Sequence, residues 1–244
     1  MRTQGSTRPD LHDARVVIIG VGGLGSPAAM ALADAGVGTI GLVDPDRVEP
    51  SNLHRQPLYG DADIGRLKVE AAAAHLQSRH PRLRIEAAAV RFAAGAATLL
   101  ADFDLVVDGT DSVGAKFAVN DAAVAAGIPL CHAGAIGWQA QLLTILPGTT
   151  ACYRCLFEEP PPPDEVPSCQ EAGVLGPAVV LAGSLQAAEA VRLLGGMSPL
   201  FADRLLVIDT RSGSWRRIAV TRRPGCPACG SLHQYPIRQR SIAR

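Results

Sequence analysis

The sequence has no excess of charge of either sign, because 23 Lys and Arg residues balance 23 Asp and Glu residues. Binding to the phosphate backbone of a nucleic acid requires a basic bias, so we expect no nucleic acid partner. We also find no internal repeat. Hydrophobic residues make up 48% of the 244 residues, which predicts one large globular α/β domain with a full core rather than a disordered chain.

The sequence also lacks an apolar segment of the kind that directs secretion. Residues 1–13 are polar, and the first apolar run starts at Val16. The longest uncharged apolar stretch, 172–188, is interrupted by glycines and a proline, which favours a buried helix over a membrane span. We therefore expect a cytoplasmic protein without membrane contact, in which the six cysteines indicate metal binding or chemistry rather than disulfides.

Four of the cysteines stand in two pairs of identical spacing. Cys152 and Cys155 form one CxxC pair, and Cys226 and Cys229 form the other. Four thiolates are the usual ligand set of a closed tetrahedral zinc site, which leaves no coordination position for water or substrate. A thiol–disulfide pair is the alternative. The spacing therefore predicts a structural Zn²⁺ that ties the C-terminal part of the chain to its middle.

The remaining cysteines need a different interpretation. Cys131 falls in a predicted strand, where it is expected to be a small core residue, and the adjacent His132 is expected to be packed or hydrogen-bonded rather than catalytic. Cys169 follows a proline-rich segment, 158–167, that predicts an extended or mobile loop. A cysteine there is either incidental or reactive, depending on its exposure and on any helix N-terminus nearby.

Short β-branched runs alternate with alanine-rich segments through the first half of the chain. The pattern predicts strands at 16–19, 39–43, 84–90 and 104–107, and helices at 22–36, 67–78, 94–101 and 115–126. Such alternation is typical of an α/β fold with a Rossmann-like, doubly wound, mostly parallel sheet. Later segments at 130–135, 141–146, 205–209 and 215–220 predict a mixed or antiparallel extension, with one helix at 175–194 between them.

A glycine-rich turn follows the first predicted strand. Gly20-Val21-Gly22-Gly23-Leu24-Gly25 fits GxGxxG between a strand and a helix, where glycines let the backbone approach phosphates and the helix N-terminus presents free N–H groups. Asp44 ends the second strand, at the usual place of an acid that holds ribose hydroxyls. A glycine turn that only permits close packing is the alternative, but strand, helix and acid together favour nucleotide binding.

The polar segment after the second strand distinguishes two kinds of nucleotide enzyme. A nicotinamide-dependent oxidoreductase, which the glycine motif alone would suggest, seldom needs Asn52, Arg55 and Lys68 close to its ribose acid. A phosphoryl or nucleotidyl transferase does, because negative charge builds on phosphate oxygens in the transition state. A solvated surface pair is the alternative for Arg55 and Lys68.

Two acids follow the fourth predicted strand, in Asp108-Gly109-Thr110-Asp111. Ligands bind at this carboxyl edge in doubly wound sheets, and a carboxylate there could hold Mg²⁺ bridging triphosphate oxygens. For Asp108 a turn-forming or helix-capping acid is an equal alternative.

These motifs together resemble a known family, the sulfur-carrier-protein adenylyltransferases of the ThiF/MoeB/HesA type, which are relatives of the ubiquitin-activating enzymes. The matching pieces follow the family's order and lie at 20–25, 44–46, 51–56, 65–68, 108–111, 152–155, 169–173, 183–187 and 226–229. Details around Gly25, Val174 and Trp215 look somewhat more like the thiamine branch than the molybdopterin branch.

The resemblance implies an activity, a division of the chain and partners. It implies ATP-dependent adenylation of the C-terminal Gly-Gly carboxylate of a small ubiquitin-like sulfur-carrier protein, for thiocarboxylate formation in sulfur transfer to thiamine, molybdopterin or a natural product. An ATP-binding part would span about 14–150, a zinc-stapled carrier-docking part about 151–230, and a tail 231–244. The family also implies a homodimer and a sulfur donor such as a cysteine desulfurase or a rhodanese.

The resemblance also implies a role for each residue of the site. The glycine turn and Asp44, with Asp46 beside it, would hold the nucleotide and its ribose, and Cys169 would stand where some members carry the cysteine that joins the carrier. The phosphates would bind to Asn52, Arg55, Gln56 and Lys68. Asp111 would bind Mg²⁺.

The sequence departs from the family pattern at three places, and these departures suggest an alternative function. Only residues 1–14 precede the first strand, and no Arg-Tyr-x-Arg-Gln pattern appears there, although Arg2 or Arg8 could substitute for the family's N-terminal arginine. Ser112 stands where asparagine is usual, and Lys116 where arginine is usual, so a bidentate fork is lost while the charge remains. A catalytically weak ATP-binding scaffold is therefore the alternative function.

Overall fold

One eight-stranded sheet organises the residues that this computed structural model describes, which are 9–93, 96–161 and 173–232. The strands are β1 Arg15–Ile19, β2 Thr39–Val43, β3 Arg84–Ala88, β4 Leu105–Asp108, β5 Leu130–Ile136, β6 Gln139–Ile145, β7 Arg204–Asp209 and β8 Ser214–Ala219. Their order across the sheet is β3-β2-β1-β4-β5-β6-β7-β8. Pairing is parallel from β3 to β5 and antiparallel from β5 to β8, which confirms the predicted fold class.

The α-helices of the described residues are α1 Gly25–Ala35, α2 Lys68–Arg79, α3 Val113–Ala126, the short α4 Tyr153–Leu156 and α5 Gly176–Leu194. Short 3₁₀ helices occupy Pro50–Arg55, Asp61–Asp63 and Ala96–Leu100. The helix predicted at 94–101 is therefore a 3₁₀ segment in its described part. The strand predicted at 84–90 ends at Ala88, where its pairing with β2 stops at Val43.

Helices cover both faces of the parallel part of the sheet. On one face, α1 and α2 pack on β1 and β2, together with Ala187 and Ala190 of α5. On the other face, α3 packs over β1, β4 and β5 in an apolar cluster that also contains the four CxxC cysteines. From β1 the strand order continues outward through β2 and β3, whereas on the other side of β1 the chain continues outward from β4 to β5. The carboxyl ends of β1 and β4 therefore border a crevice at the switch point.

The helix α5 is the longest apolar element of the described residues. Its length and composition would allow it to cross a membrane, but a buried core helix passes the same test. Gly183 brings α5 so close to α1 that a Cβ there would lie 2.3 Å from the Leu24 carbonyl oxygen. The buried Gln186 of α5 donates to the carbonyl oxygens of Asp108 at 2.8 Å and Cys131 at 2.9 Å. One face of α5, which includes Ala182 and Ala190, is buried against the core.

Candidate nucleotide site and zinc site

The glycine turn connects β1 to α1, and its backbone lies directly against the loop that follows β4. Gly20 has a φ of +86°, and its N–H donates to the Val43 carbonyl at 2.8 Å, which extends the ladder between β1 and β2. A Cβ on Gly20 would lie 2.8 Å from the backbone of Gly109, and one on Gly25 would lie 1.9 Å from the Gly20 carbonyl oxygen. Glycine is thus required here by both backbone conformation and space.

Asp44 lies beside this turn at the carboxyl end of β2, and its carboxylate organises the backbone around it. One oxygen accepts the Val21 N–H at 2.7 Å and the other accepts the Asp46 N–H at 2.9 Å. Burial raises the pKa of the Asp44 carboxyl above its usual value, although Lys68 and the two N–H groups oppose the shift. Both oxygens retain lone pairs, so the group can still accept hydrogen bonds from ribose hydroxyls.

The polar segment after β2 folds back over the crevice as a 3₁₀ helix, Pro50–Arg55. The buried Gln56 donates from Nε2 to Asn52 Oδ1 at 3.1 Å, while Gln56 Oε1 is buried without a partner. Arg55 donates to the Ser51 carbonyl at 2.9 Å. Lys68, the first residue of α2, is almost fully buried and reaches Asp46 Oδ2 at 3.0 Å, so its ammonium faces the crevice rather than bulk solvent.

These elements enclose one cavity of about 540 Å³. Among the residues that line it are the sequence-predicted Gly20, Gly22, Gly23, Asp44, Asp46, Asn52, Arg55, Gln56, Lys68 and Asp111. Gly25 instead lies behind the turn, against Gly20. The structure therefore brings together, in one cavity, residues that are up to 91 positions apart, from Gly20 to Asp111. The cavity combines cations, amides, carboxylates and a glycine turn.

Asp108 lies in a buried network instead. Its carboxylate accepts the Thr110 hydroxyl at 2.6 Å and the Thr110 N–H at 3.0 Å, as the turn-forming interpretation predicts. It also contacts His132 Nδ1 at 2.8 Å and Lys116 Nζ at 3.3 Å. His132 and Cys131 are both buried, as expected from the sequence. The magnesium interpretation therefore favours Asp111, which lines the cavity.

Lys116 is directed into this network. Besides Asp108, its ammonium donates to the carbonyl oxygens of Thr110 at 2.7 Å and Ala133 at 2.6 Å, which uses all three of its N–H donors. The nearby Ser112 is the N-cap of α3 and accepts the Ala115 N–H at 3.3 Å. Ser112 and Lys116, which both depart from the family pattern, thus have a structural role: they join the Asp108–Asp111 loop to α3 and β5.

Several residues of the cavity wall were not predicted from the sequence. Arg91 and Phe92 lie just beyond β3, and Gln139 and Gln141 lie on one face of β6. The rule that ligands bind at the carboxyl ends of parallel strands would have predicted Arg91 and Phe92 as lining residues. The period of two along a strand would have placed the two glutamines on one side, but the side that faces the cavity depends on the sheet order.

The four CxxC cysteines lie within reach of one ion. Their sulfur atoms are all within 4.8 Å of one another, with separations of 3.9 Å for Cys152–Cys155, 3.6 Å for Cys152–Cys226 and 3.5 Å for Cys155–Cys229. Four sulfurs on a tetrahedral zinc ion are separated by about 3.8 Å when the Zn–S distance is about 2.3 Å. All four cysteines are buried and free of disulfides, so this donor set fits Zn²⁺ and not a disulfide pair.

Polar contacts tie the cysteine cluster to the helix behind the cavity. The Tyr153 N–H donates to Asn120 Oδ1 at 2.9 Å, and Arg154 forms a bidentate ion pair with Asp121, with two N–H groups each 2.8 Å from a carboxylate oxygen. Both acceptors lie on α3, which begins directly after the Asp111 loop. Cys169, Arg2 and Arg8 lie outside the described residues.

Comparison with known proteins gives one consistent result. A model of the ThiF family matches residues 3–228. The sulfur carrier protein adenylyltransferase of Thermus thermophilus is 45% identical over 226 residues, which cover 90% of this chain and 83% of the relative. The sulfur carrier protein ThiS adenylyltransferase of Escherichia coli is 41% identical over 229 residues, with 93% and 90% coverage.

Two further proteins match over only part of their length. The adenylyltransferase and sulfurtransferase MOCS3 of Sus scrofa is 44% identical, and the match covers 93% of this chain but 50% of the relative. The crystal structure of Escherichia coli MccB with ATP superposes with a TM-score of 0.77 at 28% identity, covering 90% of this chain and 68% of the other. With a glycine turn, a nucleotide-sized cavity and a four-cysteine cluster placed on this sheet, and with a family model that matches nearly its whole length, the chain belongs to the ThiF family.

Proposed function

We propose that this protein is an ATP-dependent adenylyltransferase that activates the C-terminal Gly-Gly carboxylate of a small ubiquitin-like sulfur-carrier protein. The observation that carries the proposal is the placement of Arg55 and Lys68 in the same cavity as the glycine turn and Asp44. A hydride-transferring enzyme needs no such cations next to its ribose acid, whereas nucleotidyl transfer needs them for the charge on the phosphates. The names of the relatives from Thermus thermophilus and Escherichia coli support the same reaction.

The reaction needs positioning and charge stabilisation rather than a general base. A C-terminal carboxylate has a pKa of roughly 3.5, so it is already ionised at neutral pH. One of its oxygens attacks the α-phosphorus of ATP, a new P–O bond forms, and the bond to the leaving pyrophosphate breaks with its electron pair. The products are an acyl-adenylate and pyrophosphate, and the role of the protein is to align the two reactants.

Each residue of the cavity has a place in this scheme. Asp44 accepts the ribose hydroxyls, and the amides of the glycine turn receive phosphate oxygens. Lys68 and Arg55 stabilise the negative charge on the phosphates, which requires Lys68 to exchange part of its contact with Asp46 for the nucleotide. Asn52 and Gln56 orient the phosphates through their amide groups. Asp111 would hold Mg²⁺, which would neutralise charge on the leaving pyrophosphate.

The remaining assignments concern the zinc-bearing part and the partners. Zn²⁺ on the four cysteines would be structural and would anchor a carrier-docking part over about 151–230, where Cys169 is proposed as the carrier-linking residue. The sulfur that replaces the adenylate would come from a donor such as a cysteine desulfurase or a rhodanese. We further propose that the protein acts as a homodimer in the cytoplasm.

The proposal is tested by ATP–pyrophosphate exchange with a candidate carrier protein. Exchange should depend on the carrier and vanish when its terminal Gly-Gly is removed. Mass spectrometry of a carrier incubated with ATP and a sulfur donor should show sulfur in place of one terminal oxygen. The variant Lys68→Met should slow exchange about 100-fold, whereas Arg79→Met, on the exposed part of the same helix, should have little effect.

Three outcomes of this experiment would contradict the proposal. ATP binding without exchange, for every Gly-Gly-ended carrier encoded near this protein, would favour a catalytically weak scaffold. Binding of a nicotinamide dinucleotide in preference to ATP would favour an oxidoreductase. Equal exchange rates for Lys68→Met and the natural protein would remove the charge argument on which the proposal depends.

A further inference from the structure

Both polar backbone groups of Val21, in the middle of the glycine turn, are held by buried side chains. Its N–H donates to Asp44 Oδ2 at 2.7 Å, and its carbonyl oxygen accepts the Tyr59 hydroxyl at 2.8 Å. Tyr59 is 7% exposed and packs in the same apolar cluster as Val21 and Val48. The tyrosine therefore reaches the turn from the core, not from the solvent.

The direction of the Val21 carbonyl determines the direction of the next amide. In a trans peptide the C=O and N–H bonds point to opposite sides, and no cis peptide occurs among the described residues. Since the Val21 carbonyl points to Tyr59 in the core, the Gly22 N–H points away from the core. Gly22 lines the cavity, and its own carbonyl is used by the Ser26 N–H at 2.9 Å.

Without this hydrogen bond the peptide between Val21 and Gly22 would have an alternative orientation. A flip of the peptide plane changes φ of Gly22, and glycine accepts values of φ that other residues avoid. The flipped peptide would direct a carbonyl oxygen, rather than an N–H group, towards the cavity. An oxygen there would repel the phosphate of a nucleotide, so the orientation of this one peptide matters for anion binding.

We propose that Tyr59 is a positioning residue for phosphate binding, because its hydroxyl holds the Val21 carbonyl and thereby keeps the Gly22 N–H directed at the phosphates of ATP. This inference rests on the proposed function in that it takes the cavity to be an ATP site. Asp44 accepts the N–H of Val21, but unlike Tyr59 it also lines the cavity. Tyr59 is not among the described residues that line the cavity, so it acts on the nucleotide through Gly22.

The hydrogen bond from Tyr59 to the Val21 carbonyl does not depend on pH near neutrality. Burial, with smaller contributions from Asp44 and Asp63, raises the pKa of the Tyr59 hydroxyl far above its usual value. The hydroxyl thus remains protonated, and able to donate, at neutral pH and well above it.

The substitution Tyr59→Phe removes the hydroxyl and leaves the buried ring. Calorimetric titration should show ATP binding weakened about fivefold, in line with the loss of one hydrogen bond. Adenosine, which carries no phosphate, should bind Tyr59→Phe and the natural protein equally well. In the exchange assay the KM for ATP should rise by the same factor while the KM for the carrier stays unchanged.

The matched control is Thr150→Val, which also deletes one buried hydroxyl that bonds to the backbone, in this case to the Leu146 N–H at 2.8 Å. Thr150 lies beyond the end of β6, so this variant should lose stability without any change in the ratio of ATP to adenosine affinity. An unchanged ATP affinity in Tyr59→Phe would overturn the inference. Equal weakening of ATP and adenosine would also overturn it, because that result indicates a general distortion of the site.

A second measurement needs no substitution. In ¹⁵N-labelled natural protein, the Gly22 amide resonance should shift and its hydrogen exchange should slow on addition of ATP, but not on addition of adenosine. A Gly22 amide that responds to neither ligand, or equally to both, would contradict the role of Tyr59. Failure of the proposed function has a different signature, which is normal ATP binding with no carrier-dependent exchange.

Discussion

His132 Nδ1 lies 2.8 Å from Asp108 Oδ2, and both side chains are completely enclosed. Burial lowers the pKa of His132, and the nearby Lys116 ammonium adds to this effect, against the opposing hydrogen bond and charge of Asp108. Burial by itself would raise the pKa of Asp108, but Lys116 and the hydrogen bonds from His132 and Thr110 hold it well below its usual value. The pair therefore consists of an ionised acid and a neutral imidazole that donates from Nδ1.

This pair predicts a loss of stability in mild acid. Below the ordinary histidine pKa of 6.5, the unfolded chain takes up a proton at His132 that the folded protein resists, so the unfolded state is favoured as the pH falls. The melting temperature should drop between about pH 7.5 and about pH 5.5. In His132→Asn, whose amide can still donate to Asp108, this drop should be smaller. Equal pH profiles for the two proteins would contradict the assignment.

The second prediction concerns the charge of Lys116. Replacing Lys116 with methionine leaves the buried Asp108 carboxylate without its ammonium partner, and should lower the free energy of unfolding by about 3 kcal/mol. Adding Asp108→Asn to this variant should recover part of the loss, because the uncompensated charge is then removed. Urea unfolding of the two single variants and the double variant measures the coupling. Strictly additive losses would show that the two groups do not interact.

The third prediction compares two glycines with nearly the same φ. Gly20 and Gly36 have φ values of +86° and +87°, but a Cβ would lie 2.8 Å from the Gly109 backbone at Gly20 and would meet nothing within 4 Å at Gly36. Gly36→Ala should therefore cost about 1 kcal/mol of stability from backbone strain alone. Gly20→Ala should cost clearly more and should also weaken ATP binding, since the glycine turn and the Asp111 loop must separate.

Thermal melting and ATP titration of both alanine variants provide the test. Equal melting temperatures would mean that the close contact between the two loops carries no steric cost. Normal ATP affinity in Gly20→Ala would mean that their separation does not matter for the nucleotide.

The fourth prediction concerns the cysteine cluster. Purified protein should contain about one Zn²⁺ per chain, and Cys226→Ser should lose it. Hydrogen exchange should then speed up at 152–156 and 222–230, whereas the glycine turn at 20–25 should stay protected. Cys131→Ala, which removes a buried cysteine outside the cluster, should keep its zinc. A chelated protein that still forms thiocarboxylate at the full rate would show that the metal does not organise the carrier-docking part.

Much of the fold could be predicted because its signals are local. The β-branched runs of β1 and β2, the glycine that ends α1 and the alternation of strands and helices each depend on neighbours within a few residues. Both CxxC pairs and the GxGxxG turn are equally local. The order of these elements along the chain was therefore sufficient to predict a doubly wound sheet, a nucleotide site at its edge and a metal site.

The sequence alone thus determined the type of the main strands and helices and the chemistry of the motifs, while the tertiary structure decided which side chains share a space. Asp108 and Asp111 are only three residues apart, yet one is enclosed with His132 and Lys116 and the other lines the cavity. Tyr59 became significant only when the fold placed it behind Val21. Such pairings depend on sheet order and on the packing of elements distant in the chain, which no local pattern of residues encodes.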